Sequence, residues 1–420
     1  MLGSGARGRR VSAWGALFVV LLLGPAAAAA EAANGEGWLA RSRLSGHWGG
    51  ARDELEVRGV DLFARYTAGF WSNLHGGFER GTRYEGFARI GLDLDLAPLL
   101  DWEGGRIFVD WISYHGGQPS TALIGAFSTT YLSSWEAEDF LRFYNIYFEQ
   151  QWLDGRLEVK GGQLAADDDF FVSEYASSLL NATFGFLGMG RVQQIGPFYP
   201  LAAPGAYAAV RPGAAWFAHV GAYVADVGED EPGNQGFNWD FTNGGFYLGE
   251  FGTERRLFGR PGRYFLGAAG TTASVADFST RNAVGGKAAI YGVVDQALWV
   301  DARGDPKLGS FLRFQYLPSE GSSVVHWYLD GGLELRSPWA WRPDDALSFG
   351  FAYLRFGRDY VAVRRSTGED VSDYQGSLEL VYRAQLAPWL TLQPDMQYFF
   401  DPHLSRRSAF AIGLRAVIDF

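Results

Sequence analysis

AFAIGLRAVIDF, residues 409–420, alternates with period two. Phe410, Ile412, Leu414, Ala416, Ile418 and Phe420 fall on one face of an extended chain, and Ala409, Ala411, Gly413, Arg415, Val417 and Asp419 fall on the other. One face suits hydrocarbon and the other water. A soluble sandwich uses such a strand once or twice. A chain that repeats it in segments of about ten residues reads instead as a closed transmembrane β-barrel.

The repeats are present. Alternation and turn signals place strands near 61–71, 87–97, 106–115, 141–152, 156–164, 206–211, 214–225, 243–253, 262–271, 286–299, 309–317, 324–337, 346–357, 373–386, 389–400 and 409–420. The expected fold is therefore all-β: a transmembrane antiparallel β-barrel of 16 strands, with an inward-folded loop carrying a short helix. Ile90, Leu92, Leu94 and Leu96 oppose Arg89, Gly91, Asp93 and Asp95, and three charges in a dry core would be untenable. Leu378, Leu380, Tyr382 and Ala384 likewise oppose Ser377, Glu379, Val381 and Arg383. Residues 286–299 are less clean, since Lys287, Tyr291 and Asp295 share a register with Val293 and Trp299. An aqueous lumen tolerates such apolar residues better than lipid tolerates charge.

The connections carry a second signal. Those after odd-numbered strands run roughly 72–86, 116–140, 165–205, 226–242, 272–285, 358–372 and 401–408, whereas DWEGG (101–105), DGR (154–156), RPG (211–213) and AP (387–388) are tight turns. The exception is 317–323, LPSEGSS, which should be long and is not. Long loops at one end and short turns at the other suit an outer-membrane barrel with both termini periplasmic.

The ends and the composition agree. Arg7, Arg9 and Arg10, an apolar run at 16–23 and the tract AAAAA at 26–30 read as a secretory signal peptide at 1–30. A periplasmic segment with a short helix at 51–58 would follow over 31–60, and the barrel over 61–420. Losing the three signal arginines takes the formal charge from -11 to -14, so nucleic acid is not an expected partner. Cysteine is absent, which excludes disulfides and thiolate chemistry. Aromatic residues make up 16% of the chain, suited to interfacial girdles and to a lumen that handles a flat ligand.

The longest connection contains DDDFFVSEYASSLLNATFG, 167–185. Asp167, Asp168 and Asp169 can cap a helix over 170–180, and a long loop with its own structure is expected to fold inward and narrow the lumen. Phe170, Phe171, Glu174 and Tyr175 are then constriction candidates. The apolar patches of 116–140 also suggest inward packing. Arg65, Arg89, Asp93, Asp95, Arg156, Glu158, Lys160, Arg313, Glu379, Arg383, Asp395 and Arg415 are the pore-lining candidates. Such a mixed-sign lining discriminates weakly by charge but can replace the water around many hydroxyls. Trp71, Trp111, Tyr114, Trp135, Phe143 and Trp299 are candidates for stacking on a sugar face, with an interfacial girdle as the competing reading of each.

Several blocks resemble the carbohydrate-selective outer-membrane porin family of the OprB type: SGHWGGARDELEVRGV (45–60), LDGRLEVKGGQLAADDDFFVSEYASSLLNATFG (153–185), YPLAAPG (199–205), GGKAAIYGVVDQALW (285–299) and LELVYRAQLAPWLTLQPDMQYFFDP (378–402). The resemblance implies passive diffusion of monosaccharides such as glucose through a constriction lined by charged and aromatic residues. Expected partners are those sugars, outer-membrane lipid and lipopolysaccharide, and the outer-membrane assembly machinery acting on the last strand. A monomer and a homo-oligomer are both compatible with the outward face. No cofactor, metal or catalytic residue is expected: His47, His75, His115, His219, His326 and His403 belong to no HExxH, GxSxG or paired-carboxylate pattern. A general small-solute channel and a sealed structural barrel share most of these features.

Overall fold

The computed structural model describes residues 37–125, 127–185, 196–402 and 408–420, so the signal-peptide segment and His403 lie outside the described residues. Sixteen antiparallel strands close into one barrel, each paired with its sequence neighbours and β1 with β16. They are β1 Val60–Gly76, β2 Gly81–Asp95, β3 Gly105–Gly116, β4 Phe140–Trp152, β5 Leu157–Leu164, β6 Ala203–Gly213, β7 Trp216–Asp226, β8 Asp240–Leu257, β9 Arg260–Ala276, β10 Ala283–Val300, β11 Pro306–Tyr316, β12 Val325–Arg336, β13 Ala346–Phe356, β14 Tyr374–Ala387, β15 Leu390–Phe400 and β16 Ala409–Asp419. Closure leaves no unpaired edge, which a membrane requires of any sheet.

The alternation holds in three dimensions. Leu414, Ile412, Leu380 and Leu266 stand exposed on the outer face, while Arg415, Ala411 and Glu379, their in-strand neighbours, are buried. Two expected features of the connections differ. The first link is only 77–80, because Ser72 and Thr82 hydrogen-bond across the ladder at 2.7 Å and keep β1 and β2 paired out to Asn73 and Gly81. The helix expected at 170–180 is not formed. Turns take its place, flanked by 3-10 turns at Ala166–Asp168 and Ala182–Phe184, because the amides that a helix would use internally donate to wall carboxylates instead.

At the short-turn end, α1 (Ala51–Val57) and the chain before it fasten the β1–β16 seam. The Leu44 amide donates to the Asp419 carbonyl (2.8 Å), Arg43 to Asp61 (2.9 Å), and Arg52 to the Phe420 carbonyl (3.1 Å). The short helix α2 (Leu96–Leu100) follows β2, with Asp95 accepting from the Ala97 amide.

At the long-loop end, α3 (Arg358–Ser366) closes part of the mouth. Tyr360 packs on Phe278 and Phe127, and Arg358 donates to Glu320 at 2.7 Å. Hydrogen bonding to Arg358 holds the Glu320 carboxyl below its ordinary range, and the Thr280 amide and hydroxyl do the same for Asp277. Carboxyls depressed in the folded state contribute stability that is present above their unfolded values and is lost as pH falls through the folded ones. Amide protection in 277–282 and 317–324 is therefore expected to stay level from neutrality down to about pH 5 and to fall only below about pH 4. Protection already declining between pH 7 and 6 would contradict this assignment.

Candidate functional site: an off-axis constriction

Inward-facing carboxylates recur on alternate strands and hold the long loop against the wall. Glu250 on β8 accepts from the Phe171 amide (2.8 Å), Asp295 on β10 from the Glu174 amide (3.0 Å), Glu334 on β12 from the Ser178 hydroxyl, and Glu379 on β14 from the Asn181 amide (3.0 Å). The loop thus runs around the inside of the barrel across the strands, with one anchor every second strand. Between the anchors the wall recedes. A Cβ on Gly309 would lie 2.1 Å from the Tyr175 ring, and one on Gly350 would lie 2.6 Å from Leu179. Any larger side chain at either position would push the loop off its path.

The connection between β3 and β4 fills the remaining side. Leu123, Ile124 and Leu132 are fully buried. Gln397 donates to the Leu132 carbonyl (2.8 Å), Thr129 to Gln375, and Asn181 to the Thr129 carbonyl (3.1 Å), which ties the two loops together. Space is left near the inner face of β2–β4.

At mid-height that space is a cavity of about 250 Å³ lined by Phe87, Arg89, Trp135, Tyr144, Asp167, Asp168, Tyr199 and Arg415, among others. Phe87 and Trp135 lie nearly parallel with centroids 4.3 Å apart, and Tyr199 meets both edge-on. Arg89 is fixed through Nε to Asp110 (2.5 Å). Asp110 accepts from the Asn145 amide (2.7 Å), and Asn145 Nδ2 donates to Asp168 (2.9 Å), so three strands and the loop share one network. Arg415 donates through Nε to Gln393 (2.9 Å) and has no ion-pair partner among the described residues. Arg415 and Arg89 both line the cavity. Aromatic faces beside fork-shaped donors and carboxylates are the groups that replace water around a pyranose.

Wider spaces lie on either side. Toward the long loops a vestibule of about 530 Å³ opens between β7–β9 and the folded loops, and Tyr199 lines both it and the constriction. Toward the short turns a space of about 620 Å³ is bordered by Asp61, Asp93, Asp95, Arg106, Glu149 and Arg43, with Arg106 bridging Asp93 (2.7 Å) and Glu149 (3.1 Å).

The sequence candidates divide accordingly. Arg89, Arg415, Trp135, Asp167 and Asp168 meet in the constriction, and Asp93 and Asp95 line the space below it. Lys160 faces inward, paired with Asp169 (2.6 Å) and Glu158 (3.4 Å). Arg65 pairs with Asp419 (2.6 Å) near the short-turn mouth, and Arg383 reaches the Asp344 carbonyl (3.3 Å) there. Arg313, Glu379 and Asp395 are inward but covered by the loops. Phe170, Phe171 and Tyr175 are buried between loop and wall, and Glu174 pairs with Arg336 (2.8 Å).

Six placements differ from expectation. Arg156 sits in the 153–156 turn and not in a strand. Trp111 and Phe143 pack together on the outer face. Trp299 is outward and 55% exposed, because a bulge between Ala297 and Trp299 reverses the alternation. Trp71 and Tyr114 do point inward, but both are buried on Glu85, at 2.9 and 3.4 Å, where no solute can stack on them. Phe87, Tyr144 and Tyr199 were missed. Phe87 could have been found, since it shares the inward parity of Arg89.

Residues 79–420 match the model of the carbohydrate-selective porin, OprB family. The chain belongs to that family. Porin B of Pseudomonas aeruginosa is 26% identical over 92% of each chain. Among solved structures, OprB of Pseudomonas putida at high pH superposes with a TM-score of 0.81 at 23% identity, covering 92% of this chain and all of that one. The outer membrane channel DcaP of Acinetobacter baumannii shares the fold at a TM-score of 0.53 and 10% identity, over 86% and 97% of the two chains. OprB-family membership and the closed barrel place the protein in the outer membrane of a Gram-negative bacterium, and they point to a carbohydrate-selective channel rather than an enzyme.

Proposed function

We propose that this OprB-family chain passes monosaccharides such as glucose by diffusion down their gradient, one ring at a time, with the short-turn end and both termini on the periplasmic side after export and removal of 1–30. The reading rests on the constriction, where the Phe87–Trp135 pair stands beside Arg89, Arg415 and Asp168 in about 250 Å³. The constriction has less than half the volume of either space beside it, about 530 and 620 Å³. The groups also supply both polarities that a hydroxyl needs: guanidinium donors and carboxylate acceptors.

Swelling of proteoliposomes in a series of sugars graded by size and stereochemistry tests this. Glucose and its epimers should enter, and disaccharides should enter far more slowly. Equal rates for a hexose and an equally small non-carbohydrate polyol would indicate a general channel. In planar bilayers glucose should block ion current, and Trp135→Ala should raise the half-blocking concentration about tenfold, the loss expected when one aromatic face is removed. Unchanged block would take Trp135 out of the solute path.

A further inference from the structure

The vestibule above the constriction differs from the space below it in one chemical respect. Its lining includes three rings, Tyr131, Phe198 and Tyr199, together with Gln118, Asn243 and Glu138. The short-turn space is slightly larger, but its lining of Arg43, Asp61, Asp93, Arg106, Glu149 and smaller groups contains no aromatic residue. The vestibule has about twice the volume of the constriction. Tyr199 belongs to both and is held there by its hydroxyl on the Trp135 carbonyl (2.6 Å). A sugar ring in the constriction and another in the vestibule would therefore lie on either side of one aromatic side chain.

We infer that the vestibule is a second carbohydrate station, which holds the trailing rings of a short oligosaccharide while its terminal ring occupies the constriction. This rests on the monosaccharide reading above. The constriction has less than half the volume of the vestibule, so such an oligosaccharide enters, stacks and stays. It blocks the pore without crossing it. The block is one-sided, since rings line the vestibule and none lines the short-turn space. Tyr131 is the ring through which the trailing sugar is recognised, because Phe198 is buried against Phe171 and Phe246 and Tyr199 is shared with the constriction.

The test uses maltotriose added to one side of a planar bilayer at a time. The chain has no cysteine, so a single Arg303→Cys in the exposed 301–305 turn marks the short-turn face for a membrane-impermeant thiol reagent and reports orientation. Maltotriose should block from the long-loop side at a concentration about fivefold lower than from the short-turn side, as one ring stack predicts. It should not swell proteoliposomes that glucose swells. Tyr131→Ala should abolish the difference between sides and Tyr131→Phe, which keeps the ring, should retain it. Equal block from both sides in a pore that glucose still blocks, rapid entry of maltotriose, or a side preference that survives Tyr131→Ala would each overturn the inference while leaving the monosaccharide reading intact. A pore that neither admits glucose nor is blocked by it would remove that reading first.

Discussion

A variant in which residues 170–180 are replaced by a Gly-Ser linker of equal length should conduct ions on the order of threefold better than the parent and lose block by glucose, because the lumen of a sixteen-stranded barrel is then open. The reason lies in what the segment fills. Phe170, Phe171, Tyr175, Leu179 and Leu180 are buried between loop and wall, and their removal empties the half of the lumen along β8–β14. A second readout follows from the anchors. Glu250, Asp295, Glu334 and Glu379 now bond the loop, and all four would then lose those donors, with Arg336 still paired to Glu334. The reversal potential in a salt gradient should shift toward cation preference. Conductance and selectivity both unchanged would mean that the passage does not run beside this loop.

The second large effect concerns Arg313 and Asp330, both with side chains fully removed from solvent. Arg313 Nε lies 2.9 Å from Asp330, and its terminal nitrogens reach the carbonyls of Phe171 (3.4 Å) and Thr183 (3.2 Å). Tyr328 also donates to Asp330 at 2.6 Å. Arg313→Ala leaves a buried carboxylate without its cation and frees the loop at two points, which should cost about 3–5 kcal/mol. Denaturant unfolding in detergent or liposomes, followed by tryptophan fluorescence, would measure it. The double variant Arg313→Met with Asp330→Leu should recover most of that loss, since it removes both charges together. Losses that simply add would show that the two residues act independently.

Much of the barrel was legible because lipid enforces one rule on every strand. Ile412 and Leu414 against Ala411 and Arg415, or Leu378 and Leu380 against Ser377 and Glu379, leave one register that lipid accepts. The rule failed where local geometry departed from a two-residue repeat. The bulge at Ala297 turned Trp299 outward, and no residue type near it announces a bulge. It also could not foresee that the 170–180 amides would bond to the wall, since a helix propensity is read locally whereas Glu250, Asp295 and Glu379 arrive from strands far along the chain. Asp295 and Glu379 themselves were visible as inward positions on β10 and β14, whereas Glu250 was not singled out. The constriction was half legible. Arg89 and Arg415 follow from parity, but Tyr199 comes from a loop whose path no periodicity encodes.

The wall's two halves do different work. Residues along β8–β14 anchor the folded loop, and the inner face of β2–β4 borders the constriction. A change at Phe87 can therefore alter which solute is preferred without touching the four wall acids that anchor the loop, whereas a change at Arg89 also reaches the loop through Asp110, Asn145 and Asp168. The solute path and the four loop anchors therefore lie on opposite sides of the same cylinder, joined through the loop and the Arg89 network.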